Sequence, residues 1–452
     1  MEKNLTTGSV LKAVLGFSLP YILSYFLQTL YGMADLFIIG QFNGVESTTA
    51  VSIGSQVMHM LTVMLVGLAM GTTVMVGQAI GAGKREEASY AIGNTITLFM
   101  GLSVILMAGL LFSVRLVVNV IATPAEAVSG TVSYLTVCFI GIPFITAYNI
   151  ISAIFRGMGD SKSPMYFIAA ACVANIALDY LFIGGMKLGP AGAALGTVIS
   201  QTISVVVSLI VIFKRKTGLE LTKRKIIPQR RTMAGLLKIG IPVALQDGFI
   251  QIAFIAITVI ANKRGLNDAA AVGIVEKIIG IMFLVPSSML QTVSALCAQN
   301  IGAGKHDRAR LTLQYAVVMT MIWGTAACIL MQFDAEPFVG MFSDNAQVGI
   351  LGSQYMRGYI WDTILAGIHF CFSGYFCAYG WSGISFIHNS ISIVCVRIPF
   401  ACLASRYYAD TLFPMGLASP AGSALSVVIC VGAFFWMRKK KGLGMENALP
   451  RR

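Results

Sequence analysis

Charge is what this sequence has least of. Only 11% of its 452 residues are Asp, Glu, Lys or Arg and 56% are hydrophobic, whereas soluble globular chains carry about a quarter charged residues. So little polar surface excludes a soluble domain. Despite a formal net charge of +13, it also excludes a wet basic interface for nucleic acid. Metal-ligating patterns are missing too. The four His, at 59, 306, 369 and 388, form neither HxxxH nor HExxH, and the nine Cys form no CxxC pair. No metal cluster or disulfide framework is expected, and the cysteines read as small buried hydrophobes. The sequence contains no phosphate-cradling P-loop and no polar stretch long enough for an ATPase domain. The polar, mixed N-terminus, Met1 to Lys12, lacks the pattern of a removable signal peptide. These absences leave a multi-pass membrane protein for which neither an enzymatic role, a cofactor nor direct use of ATP is expected.

What is present is a series of long apolar runs, broken by Gly, Pro or charge. They predict twelve helices, near 14–40, 48–77, 89–113, 130–155, 164–184, 191–213, 236–261, 269–297, 312–333, 353–379, 384–404 and 419–437. If the N-terminus is cytoplasmic, 24 of the 32 Lys and Arg fall on inner segments and six on outer ones, which leaves only Lys277 and Arg397 inside spans. Basic residues collect on the cytoplasmic side of membrane proteins. The expected location is therefore the cytoplasmic (inner) membrane, with both termini inside.

The chain also repeats itself. Gln78-Ala-Ile-Gly-Ala-Gly-Lys84 recurs as Gln299-Asn-Ile-Gly-Ala-Gly-Lys305, 221 residues later. Gly16–Pro20 pairs with Lys238–Pro242, Gly159 and Ser161 pair with Gly380 and Ser382, and Pro190–Leu195 pairs with Pro420–Leu425. Two copies of a six-helix unit follow. Because six is even, both copies enter from the same side, so the pseudo-twofold axis is expected along the membrane normal. The expected organisation is an N-terminal lobe over 1–213, a basic linker over 214–235, a C-terminal lobe over 236–438 and a basic tail over 439–452.

Within these repeated elements lies a resemblance. Pro20 followed by Asp35 in the first helix, the Gln-Ala-Ile-Gly-Ala-Gly-Lys loop, Phe155-Arg-Gly-Met-Gly-Asp-Ser-Lys-Ser-Pro164 and Gly189-Pro-Ala-Gly-Ala-Ala-Leu-Gly-Thr197 resemble the multidrug and toxic compound extrusion (MATE) transporters. The likeness spans both halves. It implies two six-helix lobes, a central cleft whose opening alternates, and export of organic, often cationic, compounds in exchange for H⁺ or Na⁺.

An ionisable side chain at the centre of a span costs about 2.5–3.5 kcal/mol by insertion scales, so each one calls for a reason. Five acids lie at membrane depth: Asp35, Asp179, Asp247, Glu276 and Asp362. None has an acidic counterpart in the other half, so the duplication kept architecture and not charge. In the first lobe Asn175 and Asp179, four apart, share a helix face. With Asp35 and Thr197 they can meet in the outer half of that lobe. Two carboxylates, an amide and a hydroxyl offer the hard oxygen ligands that Na⁺ prefers, and two carboxylates sharing one site can also hold a proton. The MATE resemblance implies that these four positions, Asp35, Asn175, Asp179 and Thr197, form the cation or proton site. Pro20, which removes one backbone hydrogen bond, is the expected hinge.

Candidates for the substrate cleft are Gln28 and Tyr31, on one stripe of helix 1 with Asp35, and Asp247, Gln251, Glu276 and Asp362 in the second lobe. Lys277, beside Glu276, is read as either a neutralising or a functional partner. With 23 Met and 45 aromatic residues, the chain can line an adaptable wall for small organic substrates. The competing reading is a flippase for a lipid-linked oligosaccharide, which calls for a more cationic cleft. A membrane transferase acting on lipid pyrophosphates wants clustered Asp, whereas these five acids are scattered over five helices. Nothing in the sequence argues for an oligomer, and a monomer in the lipid bilayer is expected.

Overall fold

Backbone amides and carbonyls in hydrocarbon have no water to bond, so a spanning chain must satisfy them within itself. Among the described residues of this computed structural model, which are 4–214, 222–343 and 345–442, all regular structure is helical. The first half comprises α1 (Val10–Phe42), α2 (Val45–Gly81), α3 (Arg85–Val120), α4 (Ala125–Ile140), α5 (Ile142–Gly157), α6 (Lys162–Asp179) and α7 (Gly189–Lys214). A short α8 (Lys223–Ile226) precedes the second half. There follow α9 (Arg230–Asn262), α10 (Leu266–Met282), α11 (Leu284–Gly302), α12 (His306–Gly340), α13 (Ala346–Tyr359), α14 (Asp362–Ala378), α15 (Ser382–Ser392), α16 (Ile398–Tyr407), α17 (Phe413–Gly416) and α18 (Ala418–Gly442). Much of the expected basic linker, residues 215–221, and most of the expected tail, residues 443–452, lie outside the described residues.

Among the described residues, ten helices are long and apolar enough to cross a membrane, and the pair α4 and α5, bent by 50°, makes an eleventh. The twelfth span is α13 with α14, which starts 221 residues after the start of α4 and ends 221 residues after the end of α5. Gln347, Gln354, Arg357 and Asp362 make it the polar member of the set. Helices run past the apolar stretches that announce them because hydrogen bonding continues where hydropathy stops. Thus α3 extends beyond Arg115 to Val120. At the start of α1 the hydroxyl of Ser9, just before the helix, accepts from the Lys12 amide, a first-turn cap.

The repeat boundary and the packing boundary are different divisions. By packing, one compact unit holds residues 1–244 with 295–310, and the other holds 245–294 with 311–452. In the first unit glycines let backbones touch. A Cβ at Gly71 would strike the Leu236 carbonyl, and one at Gly240 would strike the Leu68 carbonyl. A Cβ at Gly81 would strike the Gln299 carbonyl, and one at Gly302 would strike the Gln78 carbonyl. Close approach through small residues is the usual means of holding helices together where lipid removes the hydrophobic drive. The N-terminal segment is tied to the same region. Lys305 Nζ donates to the Thr6 carbonyl at 2.8 Å, and Arg308 Nη1 donates to the Gly8 carbonyl at 2.7 Å.

The second unit packs Val272, Val275, Met331, Tyr355, Tyr359 and Ile360 into a common core. Its α16 end is capped by one side chain. Arg264 pairs with Asp268 at 2.6 Å and donates to the carbonyls of Ser405, Tyr408, Ala409 and Thr411. A guanidinium with its donors in a planar fork suits the free carbonyls at a helix C-terminus.

Both halves break α-helical geometry in the same span. A π-helical turn, Tyr180–Gly185, follows α6, and another, Ile393–Arg397, joins α15 to α16. Such turns insert an extra residue and are often found at functional sites. The first begins immediately after Asp179. The second ends on Arg397.

Candidate functional site

In the first unit α1 carries Asp35, α6 carries Asn175 and Asp179, and α7 carries Thr197. Asn175 and Asp179 are fully buried, Asp35 is buried and Thr197 is half-buried. Thr197 Oγ1 donates to Asp35 Oδ2 at 3.1 Å. Asp35 interacts electrostatically with Asp179 and lies within reach of the Asn175 amide. Hydrogen-bond geometry is nevertheless unmet at Asp35 Oδ1, at both Asp179 oxygens and at both amide atoms of Asn175. A buried polar group left unpaired costs about 1–3 kcal/mol. Four of these five atoms, on three neighbouring residues, are oxygens that a small hard cation or a proton could satisfy.

The close seat of Asp179 depends on a glycine. A Cβ at Gly196 would collide with Asp179 Oδ1 and come within 3.6 Å of Asn175 Nδ2. Only a residue without a side chain lets α7 pass this close to the carboxylate. The signal for Gly196 lay in the Gly-Pro-Ala-Gly-Ala-Ala-Leu-Gly-Thr motif, one residue before Thr197.

Farther down α1, Tyr31 accepts a hydrogen bond from Gln201 Nε2 at 3.4 Å and feels the charge of Asp35. Gln28 is half-buried and reaches Tyr148. Pro20 lies inside a helix that remains continuous across it. Beside it Ser24 Oγ donates to the Pro20 carbonyl at 2.8 Å, and the buried Arg156 guanidinium stacks 5.1 Å from the Tyr21 ring centroid.

The second unit has a different centre. Arg397, 8% exposed, donates from Nη2 to the Tyr359 hydroxyl at 2.6 Å. Its guanidinium lies 4.9 Å from the Phe254 ring centroid and 5.8 Å from that of Tyr359. It interacts electrostatically with Asp362, Tyr355 and Glu276. Glu276 in turn accepts from Thr258 Oγ1 at 3.2 Å. Lys277, considered from the sequence as a partner of Glu276, is exposed instead. Adjacent helical residues point about 100° apart, so Glu276 turns inward to Arg397 while Lys277 turns out. Asp247 and Gln251 are half-buried one turn apart on α9.

Sequence reasoning placed Arg397 inside a span but gave it no role. It also passed over two buried histidines. His369 on α14 and His388 on α15 stack with ring centroids 5.4 Å apart, and His388 Nε2 shares a hydrogen bond with Ser373 Oγ at 2.9 Å. Two histidines nineteen residues apart form no recognisable spacing, so only the fold could pair them.

With the geometry in place, comparison with known proteins gives it a context. The MatE family model matches residues 20–181 and, again, 242–403, so each half matches it separately. The probable multidrug resistance protein YoeA of Bacillus subtilis is 27% identical over 96% of this chain and 95% of its own. The multidrug export protein MepA of Staphylococcus saprophyticus is 25% identical over 82% of each chain. A solved MATE structure in complex with MaL6 superposes with a TM-score of 0.89 at 22% identity, covering 97% of each chain.

Proposed function

The chain belongs to the MatE family, transporters and not enzymes, and from that premise we propose that it exports small organic compounds, amphipathic and often cationic, across the cytoplasmic membrane in exchange for H⁺ or Na⁺. Relatives named for multidrug resistance and multidrug export support extrusion over the flippase reading. The observation that carries the proposal is the first-unit site. Two buried carboxylates lie beside an amide with both its polar atoms unpaired, and no basic residue is among the groups that interact with them.

In this reading Asp35, Asn175, Asp179 and Thr197 bind the coupling ion. When the site is empty, two carboxylates face each other in a low-dielectric pocket. Binding of one positive charge removes that repulsion and draws α1, which carries Asp35, toward α6 and α7. Pro20 lets α1 respond, because the missing amide leaves the Gly16 carbonyl without its helical partner. The bending of α1 then alternates access to the substrate. We assign substrate recognition to Gln28 and Tyr31 in the first half and to Asp247, Gln251, Glu276 and Asp362 in the second, each set read within its own half. The protein works as a monomer with both termini cytoplasmic, in the domain arrangement expected from the repeat. No cofactor enters this scheme.

Purified protein in proteoliposomes, loaded with a fluorescent organic cation and given an imposed pH or Na⁺ gradient, tests the proposal. Efflux that requires one of the two gradients is expected and identifies the ion. Efflux indifferent to both would refute ion-coupled export.

A further inference from the structure

The π-helical turn of the second half sets up a feature absent from the first. In a regular α-helix the residues beneath Ser392 would be 395 and 396. The π-turn Ile393–Arg397 adds one residue, so Arg397 comes round to the face of Ser392 instead. The packing of α18 shows this directly. A Cβ at Gly422 would lie 2.8 Å from Ser392 Oγ and 3.3 Å from Arg397 Cβ. Facing the same way are His388 and Asn389, both buried. The register shift therefore delivers a permanent cation into the polar interior of the second unit. There it bonds the Tyr359 hydroxyl and interacts electrostatically with Glu276, Asp362 and Tyr355.

We propose that Arg397 is the resident counter-cation of the second half. Among the Glu276 and Asp362 carboxylates and the Tyr359 hydroxyl, it takes the place that a bound small cation would otherwise hold. A guanidinium is charged at any physiological pH and cannot leave. A site that already holds one fixed positive charge in this way has no need to exchange ions with either side of the membrane. The oxygen groups it would otherwise present are those of a hard-cation site: two carboxylates, the Thr258 hydroxyl 3.2 Å from Glu276 and the Tyr359 hydroxyl. Glu276 Oε1 and Asp362 Oδ1 keep buried, unpaired oxygens that such an ion could use. The inference rests on the proposal that the first half couples to an ion, and it adds that the second half does not.

Removing the arginine should then create a cation site. The test uses full-length protein in detergent and measures bound ²²Na⁺ per chain at saturation, so it does not depend on transport. For Arg397→Leu we expect one more Na⁺ per folded chain than for the native protein. Arg397→Lys, which keeps a charge there, should show no increase. The triple variant Arg397→Leu, Glu276→Gln, Asp362→Asn should lose the gain. A folded, monodisperse Arg397→Leu protein with an unchanged Na⁺ count overturns the proposal. Should that variant fail to fold, Glu276→Gln and Asp362→Asn in the native background decide the matter. Unchanged Na⁺ binding in both is the expected result, whereas a drop in either would mean that the second half already binds a cation and that Arg397 does not replace it. In a native protein that binds no Na⁺ and exports under a pH gradient, a first bound Na⁺ in Arg397→Leu supports the proposal and its absence overturns it. Failure of export under both gradients would instead count against the coupling proposal alone.

Discussion

The two halves of this transporter hold almost the same helices around opposite electrostatics. Each begins with a long helix containing a proline, Pro20 in α1 and Pro242 in α9. Each places a π-turn in its fifth span. Yet fifteen residues after its proline the first helix carries Asp35 and the second carries Ile257. In the first half two carboxylates stand against an unpaired amide, while in the second two carboxylates stand against an arginine. Helix packing tolerates substitution only by residues of similar size, and so it preserves Gly, Pro and helix length. Charge inside a membrane is costly wherever it has no use. A duplicated bundle can therefore keep both scaffolds and leave ion exchange to one of them.

That contrast can be broken most severely at the carboxylates. Asp35→Asn or Asp179→Asn should reduce gradient-driven efflux from proteoliposomes to the level of protein-free vesicles. Full export by either variant would remove the first-half site from the mechanism. Next in size comes the glycine that admits Asp179. Gly196→Val should abolish most export while the protein still purifies as a monodisperse species. Its repeat counterpart Ser426, which donates to the His388 carbonyl, should tolerate Ala with a loss of about threefold or less, since a single interhelical hydrogen bond in a membrane averages about 0.6 kcal/mol. Equal sensitivity at the two positions would contradict the asymmetry.

Thr197→Ala removes a hydrogen bond to a carboxylate, a loss of about 1.5–3 kcal/mol. We expect ion affinity, read by calorimetry, to fall by about tenfold or more. Thr258→Ala should leave ion affinity unchanged, because Glu276 is served by Arg397 and not by an exchanging ion. A smaller effect, on rate alone, is expected at the prolines. Pro20→Ala should slow turnover several-fold and leave equilibrium ion binding unchanged, a split between rate and affinity visible in stopped-flow efflux. The same change at Pro242 should do less.

How much of this the sequence disclosed depended on whether the signal was local. Hydropathy is a property of composition, so the twelve spans could be read directly, and even the more polar α13–α14 span shows as an apolar run near 353–379. The pairing of Asn175 with Asp179 follows from four-residue spacing, which any helix converts into a shared face. Arg397 was hidden for the converse reason. Its orientation depends on one extra residue in a π-turn, and nothing in the side chains of Ile393 to Val396 signals that change of register. Gly196 was visible within a motif, but the need for a glycine there emerges only when α7 is seen beside Asp179. His369 and His388 meet across two helices, a distance that no spacing rule spans.

The reciprocal contact of Gly81 with the Gln299 carbonyl and Gly302 with the Gln78 carbonyl bears on how such a chain can change. Here a motif rests against its own copy, so each occurrence is the mould of the other. A bulkier residue at one position meets a backbone carbonyl, which cannot rotate aside as a side chain would. Relief has to come from a shift of the whole helix end, and that shift disturbs the other glycine. Drift in either copy is thus checked by the one it touches. This self-contact gives a physical reason why Gln-x-Ile-Gly-Ala-Gly-Lys is the best-matched stretch of the repeat, although it contains no residue of the proposed ion site.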